Sequence, residues 1–252
     1  MEVNMAMNRE GATVHTVNPV HGKGPVFYAS LQRDTGTPKC HGTDVEEARH
    51  RLVSTLWDHL AAIGSPGWTR CQYSNETDSP IQVLRGPLGR PQLLLGEYRG
   101  PAISFSDSGG KVWAALCGDD SDIGIDVAGT DEFPKAYPFH RVFHPEEIQH
   151  TLRLAGGDLG NASALLWSVK ESVVKALGGG FHLVDPLQIT IYPSGERETE
   201  CIAGYTFQVG LSGKALMRFP STAHKSIWVR SLPQSNKWLS VAILKRRPTG
   251  HE

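Results

Sequence analysis

Apolar positions along this chain fall into short alternating runs and two longer helical stripes. Val26, Phe27, Tyr28 and Ala29 form an apolar run within Pro25–Leu31, which predicts a strand. Thr43, with Glu46 three residues later, forms a capping box, and an amphipathic run continues to Ile63. Val45, Leu52, Leu56, Leu60 and Ile63 mark its buried stripe; Gly64 ends it, with Pro66 just beyond. Ile103-Ser104-Phe105 reads as a strand leading into a turn over Ser106–Gly110, with Val112–Cys117 as the return strand. Asp122–Ala128 alternates: Ile123, Ile125 and Val127 share one face, and Gly124, Asp126 and Ala128 the other. Phe139–Gln149 reads as a short helical region broken at Pro145. Asn161–Leu177 is a second strong helix, with Leu166, Val169, Val173 and Leu177 as its buried stripe and Gly178-Gly179-Gly180 as its stop. Strand candidates follow at Gln188–Tyr192, Tyr205–Leu211, Ser226–Leu232 and Trp238–Leu244.

Each half thus offers one long helix and several short strands. The pattern predicts an α+β protein of two similar lobes, each a long helix packed on a small antiparallel sheet. The expected divisions are a flexible leader over 1–24, an N-terminal lobe over 25–118, a C-terminal lobe over 119–247 and a tail over 248–252. Composition narrows the function classes. With 25 basic and 26 acidic residues, the chain lacks the basic excess of a sequence-independent nucleic-acid binder. No apolar run approaches the ~20 residues of a membrane-crossing helix, and the first residues lack an apolar signal core. Cys40, Cys71, Cys117 and Cys201 are scattered with no C-x-x-C pair, so a reduced, cytoplasmic protein is expected.

Two segments could carry chemistry. Trp167, Glu171 and Lys175 are spaced i, i+4, i+8 on the second helix and line up on another side, with Glu171 and Lys175 roughly opposite its apolar stripe. Read blandly, Glu171 and Lys175 are a solvated ion pair, although a Trp in the row and a glycine run beyond it fit that poorly. Asp126 lies between Gly124 and Ala128 on an uncrowded strand face; its bland reading is a solvated strand acid. If Asp126 and Glu171 meet, they offer two hard oxygen ligands. Mg²⁺ favours one or two carboxylates together with phosphate oxygens and water, and Lys175 would neutralise phosphoryl charge.

Gly124-Ile125-Asp126-Val127, followed by Trp167-Ser168-Val169-Lys170-Glu171-Ser172-Val173-Val174-Lys175-Ala176-Leu177-Gly178, resembles the paired signature of the 4′-phosphopantetheinyl transferases. The likeness is to the longer, two-lobed type that activates peptide and polyketide synthases. Phe143-His144-Pro145-Glu146-Glu147, Gly89-Arg90-Pro91 and Phe105-Ser106-Asp107-Ser108 resemble weaker family motifs. The resemblance implies transfer of 4′-phosphopantetheine from coenzyme A to a serine of an acyl or peptidyl carrier protein, with release of 3′,5′-ADP. It implies an active site at the lobe interface, a monomer and a transient carrier contact. Asp126 and Glu171 would hold Mg²⁺, with Lys175 on the phosphate and Asp126, Glu171 and Lys175 as the catalytic set. Gly89, Arg90 and Pro91 would border the adenine, and Ser106, with Asp107 beside it, the phosphates. Either Arg49 or Arg51 would bind the 3′-phosphate, and Glu147 would support.

Two positions depart from the family pattern. Ala128 stands where a second strand carboxylate is expected, leaving water, Asp131 or Glu132 to fill in. Asp107 stands where the family has a histidine, setting an anion beside the phosphates. The same departures suit an alternative: a catalytically silent relative that binds coenzyme A or a carrier. Other chemistries fit less well. His140 and His144 have zinc-site spacing, but Arg141 takes the glutamate position and Pro145 interrupts. Ser106-Asp107-Ser108-Gly109 lacks the first glycine of a nucleophile elbow. The glycine run follows a helix instead of preceding one, so it is no phosphate loop.

Overall fold

The computed structural model describes residues 12–17, 24–33, 41–63, 81–118, 121–134, 136–193, 204–223 and 227–245. Most of the expected leader, the helix stop at Gly64 and Pro66, Cys40, Cys71, Cys201 and the tail lie outside these residues. The chain divides into two compact units between Asp120 and Ser121.

The first unit contains β1 (His15–Val17), β2 (Val26–Gln32), α1 (His41–Ala62), β3 (Gln82–Arg85), β4 (Pro91–Leu95), β5 (Tyr98–Arg99), β6 (Ala102–Ser108) and β7 (Lys111–Cys117). Its main sheet is antiparallel, in the order β1-β2-β7-β6, and β3, β4 and β5 make a smaller sheet. Leu52, Leu56 and Leu60 recur along one face of α1 and pack against Phe27, Ala29, Ile103, Ala114 and Leu116. Leu93 of β4 closes the same core. The helix opens at His41, ahead of Thr43. The Thr43 side chain, and with it the expected capping box, lies outside what the structure describes. Ile63 is 48% exposed: it lies just past the last helical residue and leaves the stripe. Ser106, Asp107 and Ser108 belong to β6, because their ladder with β7 runs to Lys111, and only Gly109 and Gly110 turn the chain.

The second unit contains β8 (Ser121–Gly129), α2 (Pro145–Leu154), α3 (Leu159–Ala176), β9 (Ile189–Pro193), β10 (Tyr205–Leu211), α4 (Gly213–Arg218), β11 (Ile227–Gln234) and β12 (Lys237–Lys245). Its five strands are antiparallel in the order β8-β12-β11-β10-β9. In each unit a strand leads toward a long helix, and the last strand pairs beside that first one. Pro145 starts α2 and does not break it, since the first helical position has no need of an N–H. The Asp158 side chain accepts from the Asn161 N–H at 2.6 Å and caps α3. Gly178, at φ 82°, ends the helix in the left-handed conformation that glycine favours.

Helix α3 lies against β8 so closely that a Cβ on Gly124 would come 1.9 Å from the Ser172 carbonyl oxygen. A salt bridge joins α2 to α3: Lys170 Nζ lies 2.8 Å from Glu147 Oε2. Lys170 also donates to the Val142 and Pro186 carbonyls, and Glu147 accepts from the His144 and Ile191 N–H groups, so this buried pair is fully satisfied. Burial lowers the Lys170 pKa, and the Glu147 charge opposes that shift. Among the described residues no helix is long and apolar enough to cross a membrane.

Candidate active site

Asp126 lies in mid-strand on β8, on the face that α3 covers, and is only 5% exposed. Glu171 and Lys175 are one turn apart on α3. Gly124, two residues before Asp126 and on the same face, admits the helix, so α3 brings both side chains down to the carboxylate. Lys175 Nζ donates to Asp126 Oδ1 at 2.7 Å and to the Ile125 carbonyl at 3.1 Å. The same ammonium lies 3.5 Å from Glu171 Oε2. The three predicted residues therefore form one cluster, half-buried where Glu171 and Lys175 stand. The solvated readings of both acids fail, because the helix packs onto the very face that carries Asp126. Trp167 of the same row joins an aromatic cluster, with its ring centroid 4.8 Å from that of Phe181 and 6.3 Å from that of Phe133.

The electrostatics of the cluster are those of two carboxylates sharing one ammonium. Burial and then the neighbouring Asp126 carboxylate raise the Glu171 pKa to about 7; Lys175 pulls the other way, and a hydrogen bond with Asp126 adds to the rise. The donor set is all oxygen, with an excess of negative charge. That chemistry fits a hard divalent cation completed by phosphate and water oxygens. Among the described residues no three His, Cys, Asp or Glu side chains group as a metal cluster, so neither Asp131 nor Glu132 joins the pair. Glu132 is spent on the Gly129 N–H at 2.8 Å. Ala128 is 1% exposed within the apolar core. His144 turns its Nε2 to the Leu187 carbonyl, which removes it from any pairing with His140. Glu147 is consumed by its bonds to Lys170, His144 and Ile191.

The remaining candidates lie in the first unit. Gly89 and Arg90 sit in the turn between β3 and β4, and Pro91 opens β4. Ser106 is buried on β6 opposite Trp113. Arg49 and Arg51, two positions apart, point about 200° apart around α1. Arg49 turns inward, with its guanidinium carbon 5.5 Å from the Phe105 ring centroid and NH1 on Glu46 at 2.7 Å; Arg51 is exposed. Asp107 pairs with Arg33 at 2.9 Å, so its charge is countered within the unit. Sequence reasoning missed Arg33, which lies far away in the chain and in no motif.

Residues 122–219 match the 4′-phosphopantetheinyl transferase superfamily. The protein slr0495 of Synechocystis sp., named as a candidate 4′-phosphopantetheinyl transferase, is 31% identical over 103 residues. That match spans 40% of this chain and 41% of the relative. Among solved structures, the ACPS–CoA complex of Chronobacterium ammoniagenes is 16% identical with a TM-score of 0.41, over 51% of this chain and 98% of that one. The Thermotoga maritima holo-[acyl-carrier-protein] synthase is 15% identical with a TM-score of 0.36, over 50% and 64% respectively.

Proposed function

We propose, from the premise that residues 122–219 make this chain a member of the 4′-phosphopantetheinyl transferase superfamily, that it transfers 4′-phosphopantetheine from coenzyme A to a serine of an acyl or peptidyl carrier protein. The observation that carries this reading is the cluster of Asp126, Glu171 and Lys175. Asp126 and Glu171 would hold Mg²⁺, which when bound neutralises diphosphate charge. Lys175 balances charge on the transferring phosphoryl group. Glu171 would accept the serine hydroxyl proton. The serine oxygen forms a bond to the phosphorus that bears pantetheine, the bond to the departing phosphate oxygen breaks, and 3′,5′-ADP leaves. In the first unit, Gly89, Arg90 and Pro91 serve the adenine and Ser106 the phosphates. Arg49 serves the 3′-phosphate in preference to Arg51, because it faces Phe105 while Arg51 faces solvent.

The test is the mass of an apo carrier protein after incubation with coenzyme A and Mg²⁺. A gain of one phosphopantetheinyl group is expected with the native chain, and Asp126→Ala should cut the rate at least a hundredfold while leaving the fold intact. An Asp126→Ala chain as active as the native one would refute the assignment. A second reading, a relative that binds coenzyme A without transferring, is favoured by one observation: core packing closes position 128 to a third ligand. It predicts coenzyme A binding with no change in carrier mass.

A further inference from the structure

Ser168 of α3, Ser231 of β11 and Ser240 of β12 are fully buried in the second unit. Their neighbours on the same strand faces are apolar: Val229 beside Ser231, and Trp238 and Ala242 on either side of Ser240. The three hydroxyls form one chain. Ser231 Oγ lies 2.7 Å from Ser240 Oγ, Ser240 Oγ lies 2.7 Å from Ser168 Oγ, and Ser168 donates to the Leu165 carbonyl at 2.9 Å. A hydroxyl has a single proton to give. Ser168 spends its proton on Leu165, so Ser240 donates to Ser168, and Ser231 in turn donates to Ser240. The chain has one direction, and no donor in it is left over.

Stability alone does not call for these hydroxyls, because buried polar partners replaced together by apolar groups of similar shape can leave it unchanged. A satisfied polar network instead selects one arrangement of a core that apolar contacts would leave freer to slide. The arrangement selected here is the seating of α3 over Asp126. Asp126, Ser240 and Ser231 are direct partners on β8, β12 and β11, so they form one row across the sheet beneath the helix. Neighbours in such a row stand about 5 Å apart at Cβ. The helix meets this part of the sheet through the Ser172 backbone, against Gly124, and through the Ser168 hydroxyl, on Ser240. Asp126 lies between those contacts in the sheet, two residues from Gly124 and across from Ser240. Glu171 lies between them in the helix.

We propose that Ser240 is a positioning residue for the carboxylate pair: by donating to Ser168 it holds α3 in the register that brings Glu171 and Lys175 to Asp126. Its consequence for a bound cation rests on the function proposed above; the register itself does not.

The test compares two variants of the full chain. Ser231→Ala keeps the bond from Ser240 to Ser168. The double variant Ser231→Ala/Ser240→Ala removes it and strands no donor, since Ser168 still donates to Leu165, so it should unfold cooperatively at a denaturant midpoint near that of Ser231→Ala. Titration calorimetry with Mg²⁺ in the presence of coenzyme A should give Ser231→Ala an affinity within twofold of the native chain and the double variant one at least fivefold weaker. Equal affinities in the two variants overturn the proposal. A double variant that no longer folds also overturns it, because Ser240 is then a prop for the core and not a guide for the helix. If the native chain binds no Mg²⁺, the cation reading fails, and the coupling between Asp126 and Lys175 decides. It is read from the unfolding equilibria of Asp126→Ala, Lys175→Met and the pair, in each variant background. A coupling of at least fivefold beside Ser231→Ala that is lost in the double variant upholds the positioning role; equal coupling in both, or none in either, overturns it.

Discussion

Glu171 carries the clearest pH signature in the molecule. Burial, and next the Asp126 carboxylate, raise its pKa from 4.5 to about 7. Across that window the folded chain keeps a proton that the unfolded chain has lost, so this group lowers stability as pH rises, and its penalty is complete above about 7. Denaturant midpoints measured in a chelator between pH 4.5 and 8 should fall, and Glu171→Gln should flatten the fall; the same slope in both chains would contradict the assignment. Asp126, Glu171 and Lys175 were legible in the sequence because helix spacing and a strand register each confine a side chain to one face. The partners of other charges were not. Nothing local says that Asp107 meets Arg33, or that Lys170 inside a helix is wholly buried, because both depend on long-range packing.

The strand–helix pair β8–α3 is the element on which the site depends. Gly124 sets its spacing: any side chain there meets the Ser172 carbonyl and the Ala176 N–H. Backbone, unlike a flexible side-chain tip, cannot step aside cheaply. Gly124→Ala should therefore cost at least about 1–3 kcal/mol, read by chemical denaturation, and should weaken Mg²⁺ binding by tilting Glu171 away from Asp126. A stable variant with native Mg²⁺ affinity would show that the approach is looser than described. At this scale sequence reading did well with periodic segments: Tyr205–Leu211 forms as expected, and α3 is displaced by a couple of residues. It erred at boundaries, where Pro145 starts a helix and Ser106–Ser108 extend a strand, because ladder pairing and capping outweigh local turn signals.

Across the whole molecule, each unit has its own apolar core, and the candidate residues are divided between the units. Asp126, Glu171 and Lys175 belong to the second; Arg49, Gly89, Arg90, Pro91, Ser106 and Asp107 belong to the first. Damage to one core should thus leave the other unit's chemistry in place. Leu56→Ala, in the first core, should cost about 2–5 kcal/mol of stability yet leave Mg²⁺ affinity under native conditions within twofold, as titration calorimetry would show. A large loss of affinity would mean that the carboxylate pair depends on the first core. The buried salt bridge of the second unit reaches further than its two helices. Among the described residues β9 is the outermost strand of its sheet, its Ile191 amide is occupied by Glu147, and two residues on stands Pro193, which has no amide hydrogen. A foreign peptide approaching that border finds almost no donors to template on, so runaway fibre growth from this margin is blocked by the same carboxylate that neutralises an interior lysine.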